Sequence, residues 1–148
     1  MTSPRVDFYV LDTTGLSDVP HMACRITEKA WKSGHRVFVH TGARFTASQM
    51  DDLLWTFRAE GFVPHAVYGT FANEDAFGDK YPVSIGDGTD PEGALDVVVN
   101  LGDAVPPFLA RCDRIVEIVG AGTEDRESSR QRYRLYREKG CSLNTHRL

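Results

Sequence analysis

A chain of 148 residues, 41% apolar and 26% charged, matches the size and make-up of one globular domain spanning residues 1–148. It contains no 18-residue apolar run, which excludes a membrane-spanning helix, and Met1 to Asp7 lack the apolar stretch of a signal peptide, so a cytoplasmic protein is expected. The formal net charge of −4 is uneven: residues 126–148 carry seven basic residues against Glu127 and Glu138, a local +5, which leaves −9 on residues 1–125 and makes duplex DNA a poor partner.

The first segment, Val6 to Leu11, is rich in aromatic and branched residues and predicts a buried strand. Asp12 through Ser17 reads as a loop. A helix follows, with Asp18 as its cap and Pro20 in its first turn, where a missing N–H is harmless. Val19, Met22, Ala23, Ile26 and Ala30 recur at helical spacing, and Gly34 supplies the stop before a strand at Arg36–His40. Thr46 and Gln49 form a capping box for a second helix whose buried face carries Met50, Leu53, Leu54 and Phe57.

Ala66–Tyr68 and Pro82–Ile85 predict short strands, and their length together with Pro82 favours sheet edges. Leu95–Asn100 reads as a central strand, Pro106–Ala110 as a short helix, and Arg114–Val119 as the closing strand. Glu124, Asp125 and Glu127 open a further helix, which Gly140 ends. Strands alternating with helices predict an α/β fold: a three-layer sandwich around a largely parallel sheet with a mixed edge, similar to Rossmann-like nucleotide-binding folds.

Signals for catalysis are weak. Asp12-Thr13-Thr14-Gly15 follows the first strand, where phosphate-handling enzymes keep an aspartate, but a threonine stands where their second acid belongs. Gly86–Gly93 is glycine-rich yet lacks the lysine of a P-loop, and no glutamate follows Asp87 at a calcium loop's twelfth position. His21, His35, His40, His65 and His146 never pair at ligand spacing, and Cys24, Cys112 and Cys141 are too scattered for a zinc site or disulfide framework. No catalytic residue, metal or cofactor is expected. The alternative is a small nucleotide-binding hydrolase, which needs Asp12 and Asn100 to converge at the carboxyl ends of the strands.

The helix after Gly122 is the most informative element. Arg126, Arg130, Tyr133 and Arg137 fall within a stripe of about 60° with Arg134 beside them, while the opposite face offers little but Leu135 and Tyr136. Such a stripe is either a solvated face or a receptor for an acidic peptide, since guanidinium forks match carboxylates and tyrosine can pack an apolar anchor.

The stretch RQRYRLYREKGCSLNT, Arg130 to Thr145, closely resembles the C-terminal signature of the DNA polymerase III chi subunit family. Further likeness lies in FYVLD at Phe8–Asp12, EKAWKSGHRVFV at Glu28–Val39, LLWTF at Leu53–Phe57 and FVPH at Phe62–His65. The resemblance implies a non-catalytic subunit joining the clamp loader to the acidic tail of single-stranded DNA-binding protein, which ends in proline and phenylalanine with a free carboxylate. By position it implies a tail site of Arg126, Arg130, Tyr133 and Arg134, with Val119 and Gly120 lining the apolar pocket. It implies a second surface at Trp55, Phe62 and Pro64 for the psi subunit or a DinG-type helicase. Association with single-stranded DNA is then indirect, and no membrane is involved.

Overall fold

A computed structural model describes residues 4–11, 18–42, 47–57, 64–67, 82–86, 91 and 93–147. In chain order these form β1 (Arg5–Val10), α1 (Asp18–Lys32), β2 (Val37–His40), α2 (Ala47–Thr56), β3 (His65–Val67), β4 (Val83–Ile85) and β5 (Leu95–Asn100). A 3-10 turn at Leu109–Arg111, β6 (Cys112–Val119), α3 (Thr123–Glu138) and β7 (Ser142–Arg147) follow. The sheet has seven strands in the order β3-β4-β2-β5-β6-β1-β7.

Every described pairing is parallel. The α/β sandwich is therefore as expected, but the mixed edge is not: both edge strands, β3 and β7, run with their neighbours. β4 is likewise no edge, lying between β3 and β2. Pro82 is tolerated because it precedes the strand, where its carbonyl accepts the Val37 N–H at 2.9 Å.

Strand alternation sorts the core into two layers. Val37, Val39, Val97, Val99, Val116 and Ile118 face one side, where Val19, Ala23, Ile26 and Ala30 of α1 and Met50 and Leu54 of α2 cover them. Val6, Phe8, Phe38, Val98, Ile115 and Val119 face the other, beneath Tyr136 of α3 and Phe108. Thr46, half of the expected capping box, lies outside the described residues, as do Asp12 and Phe62.

β7 is the element sequence patterning missed. Its Ser-Leu-Asn-Thr-His-Arg run has one apolar residue, and it forms by parallel pairing with β1, Thr145 beside Phe8 and Arg147 beside Val10. A buried carboxylate ties it in. Asp7 accepts hydrogen bonds from Arg114 Nε at 2.6 Å and from Arg5 Nε, and His146 Nε2 lies 3.2 Å away. Thus side chains from β1, β6 and β7 converge on one group. Burial pushes the Asp7 carboxyl up, but the bonds from Arg114 and His146 and the charges of Arg114 and Arg5 outweigh it and hold it below its usual range.

A candidate peptide-binding groove between α3 and the sheet edge

α3 starts after Gly122 with Glu124 and Asp125 in its first turn, where acidic groups complement the helix dipole, and Gly140 ends it at a φ of 82°. Its inward face is not the apolar stripe a surface helix normally shows. The buried residues are Ser129, Arg132 and Tyr136, whereas Leu135 is 44% exposed. Of the two apolar residues that the sequence offers on the face away from the arginines, Tyr136 is buried and Leu135 is not.

The anchor is polar. Glu117 occupies an α3-facing slot of β6 between Ile115 and Val119, wholly buried. Arg132 Nε donates to one of its oxygens at 3.1 Å, while the Tyr136 hydroxyl and Asn100 Nδ2, the latter at 2.7 Å, donate to the other. Arg132 Nη1 also donates to the Asp103 carbonyl at 3.1 Å and to the Ser128 hydroxyl. Burial raises the Glu117 carboxyl above its ordinary range despite the Arg132 charge and these bonds, and burial with the adjoining Glu117 charge raises the Tyr136 hydroxyl. Both Nδ2 hydrogens of Asn100 are used inside the protein. Its Nδ2 also donates to the Ala104 carbonyl at 3.0 Å and its Oδ1 accepts the Gly102 N–H at 3.1 Å.

With α3 pinned this way, its other face and the β1–β7 edge enclose a hollow of about 180 Å³. Phe8, Val10, Val119 and Tyr133 supply apolar surface, Arg126, Ser129 and Arg130 the helix wall, and Thr145 and Arg147 the strand wall. Tyr133 is held against Phe8 with ring centroids 5.4 Å apart, and Phe8 packs edge-on against Tyr136 at 6.0 Å. Arg126 and Arg130 are exposed, and among the described residues neither they nor Arg134 nor Arg147 holds an ion pair.

Of the residues named from sequence, the structure brings Val119, Arg126, Arg130 and Tyr133 together around this hollow. Arg134 is exposed on α3 but does not line it, and Gly120 does not line it either. Gly120 matters through its lack of a side chain: a Cβ there would run into Asp125 Oδ2 and come within 3.3 Å of Val19 Cγ2. Its bareness leaves room for the Asp125 carboxylate over the end of β6. Phe8, Val10, Ser129, Thr145 and Arg147 were not found by sequence reasoning. Phe8 and Val10 read as core, and Thr145 and Arg147 join only through the β1–β7 register.

The second surface is partly described. Trp55 on α2 is 51% exposed although Leu54 beside it is buried, and its ring lies 4.6 Å from that of His65. His65 is buried with Nε2 3.1 Å from Asp51 Oδ1, and Pro64, adjacent in chain, is half-buried. Among the described residues no three metal-ligating side chains cluster, and no helix is long and apolar enough to cross a membrane.

Residues 3–144 match the family model for the DNA polymerase III chi subunit, HolC. This chain belongs to the chi subunit family. A DNA polymerase III subunit chi from Pseudomonas aeruginosa is 38% identical over 144 residues, which cover 97% of this chain and 96% of that protein. Its counterpart from Escherichia coli is 32% identical over 143 residues, 93% of this chain and 94% of the relative, and that from Haemophilus influenzae is 26% identical over 141. Membership connects the chain with DNA replication as an accessory subunit of the polymerase.

Proposed function

We propose that this protein is a non-catalytic adaptor that captures the acidic C-terminal tail of single-stranded DNA-binding protein and links it to the clamp loader of DNA polymerase III. The observation that carries the reading is the hollow beside Tyr133, whose arginines have no acidic partner among the described residues. Carboxylates of the tail pair with Arg126 and Arg130, Arg134 adds charge alongside, and the terminal phenylalanine rests on Tyr133, Val119 and the β1 residues. Val119 supplies apolar wall, and Gly120 next to it leaves room for the Asp125 side chain.

Charge-assisted hydrogen bonds contribute about 1.5–3 kcal/mol when shielded, but exposed pairs give only about 0.2–1 kcal/mol. Arg130, exposed at the rim, falls toward the lower figure, so Arg130→Ala weakens tail-peptide binding by up to about fivefold. Tyr133→Ala removes the aromatic anchor and weakens it by tenfold or more, on the order of 1.4 kcal/mol. Affinity declines as salt screens the charges. Isothermal titration calorimetry with the tail peptide is the test, and undiminished affinity in both variants refutes the assignment.

The exposed indole of Trp55, with Pro64 nearby and Phe62 in the same stretch of sequence, supports a second protein-binding surface for psi or a DinG-type helicase, because a large aromatic at the surface is a typical anchor. Contact with single-stranded DNA is indirect, through its binding protein. The hydrolase alternative is disfavoured by Asn100, 2% exposed and with both of its amide hydrogens bonded inside the protein.

A further inference from the structure

We propose that a second hollow, on the face of the sheet away from the peptide groove, binds single-stranded nucleic acid directly, with Arg25 and Lys29 on its phosphates and a base stacked on Tyr9. The adaptor reading brings a strand near through its binding protein. This site adds a weak contact with the strand itself, and it stands on residues that the peptide groove does not use.

The site follows from two alternations. Along β1, Phe8 and Val10 face the peptide groove, so Tyr9 between them faces the other side. There α1 packs on β2, β5 and β6, and beside it, toward β1, a hollow of about 830 Å³ opens, more than four times the volume of the peptide groove. Along α1, Met22, Arg25, Lys29 and Ser33 recur at intervals of three and four residues. That stripe forms the helix wall of the hollow, while Tyr9 and Arg114 line it from the sheet.

Charge placement favours a polyanion. Arg25 and Lys29 are exposed and hold no ion pair among the described residues. Lys32 leans on Glu28 at 3.7 Å, and Arg114 is committed to Asp7 at 2.6 Å. Glu28 is the one carboxylate among the described lining residues, and it is buried. On a chain of net charge −4 this is a local excess of cations. A rise of 1.5 Å per residue sets Arg25 and Lys29 about 6 Å apart along the axis, and a stacked strand carries a phosphate roughly every 3.4 Å. The two cations therefore reach different phosphates of one strand.

The aromatic surface favours nucleic acid over an acidic peptide. Tyr9 stacks on His146 with ring centroids 4.7 Å apart and planes 20° from parallel, and its hydroxyl accepts Arg114 Nη2 at 2.9 Å. A ring fixed in this way has little rotamer freedom left to lose when a base stacks on it. Stacking contributes about 1–3 kcal/mol per base and tolerates any base, because every base has a π-face. In a duplex the bases are occupied by their own pairing and stacking, so the unpaired strand is the form that fits.

Fluorescence anisotropy on the full chain tests this with three labelled probes: an oligothymidylate of about twelve nucleotides, the same oligomer in a duplex, and polyglutamate of equal charge. The native chain binds the single strand at low salt with a Kd of about 10⁻⁴ M or tighter, and more tightly than either other probe. Two neutralised phosphates give a slope of about −1.4 in log affinity against log salt, a loss of about sevenfold from about 50 to 200 mM. Arg25→Ala combined with Lys29→Ala weakens binding by about tenfold or more and flattens that slope. Tyr9→Leu weakens it by about fivefold or more, whereas Tyr9→Phe keeps the ring and stays within about twofold of native. Thermal unfolding confirms that each variant is folded. The inference is overturned if the native chain does not bind the single strand, or if the Arg25/Lys29 double variant binds it undiminished. Equal affinity for all three probes overturns it as well, because it reports a general polyanion surface. Titration with the tail peptide is separate from all of these outcomes, so the adaptor reading stands or falls on its own.

Discussion

Replacing Arg132 by alanine removes the cation that faces Glu117 in the interface between α3 and the sheet, and the structure gives the size of the effect. Arg132 is 5% exposed and Glu117 not at all. The substitution deletes the 3.1 Å bond to Glu117 and the bonds to the Asp103 carbonyl and Ser128 hydroxyl, leaving a buried carboxylate without its counter-charge. Breaking a buried pair from one side costs about 3–5 kcal/mol. For a chain of this size each kcal/mol corresponds to roughly 3 °C in Tm, so thermal unfolding should fall by roughly 10–15 °C. Arg130→Ala, two residues away and exposed, changes stability by less than about 0.5 kcal/mol. Urea and thermal unfolding followed by circular dichroism give both numbers. A loss under about 1 kcal/mol for Arg132→Ala refutes the claim that this ion pair anchors the helix.

Two further outcomes follow from buried groups. Gly120→Ala puts a Cβ where the Asp125 carboxylate lies, so that side chain swings away and Val19 yields slightly, and the change destabilises by about 1 kcal/mol or less in urea unfolding. Asp7 and Glu117 give opposite pH dependences: Asp7, held below its ordinary 3.8, contributes stability that is present above that value and lost as pH falls through its lower folded one. Glu117, raised above 4.5, contributes stability that is complete below that value and lost as pH rises through its folded one, so Asp7→Asn flattens the acid limb of the urea midpoint and Glu117→Gln the limb above it.

By itself the sequence determined the elements whose local pattern is strong. The apolar runs of β1, β5 and β6, the helical spacing of α1, and the glycine after α3 each encode their structure within a few neighbouring residues, and the alternation of strands and helices then gives an α/β sandwich. The arginines of α3 were legible as a stripe for the same reason, because helical periodicity is a local property.

Tertiary structure alone decided which arginines face inward and which element completes the groove. Arg130, Arg132 and Arg134 are equivalent by composition, and only Glu117, placed by the pairing of β6 with β5 and β1, makes Arg132 the buried one. Trp55 faces solvent because Leu54 takes the inward position against α1 and the sheet, a choice that three consecutive apolar side chains cannot settle locally. β7 has little strand signal of its own; it exists because β1 offers a free edge and because Asp7 and His146 meet across 139 residues of chain. Arg147 enters the groove only through that pairing, since register between distant segments is fixed by packing rather than by the residues that flank it.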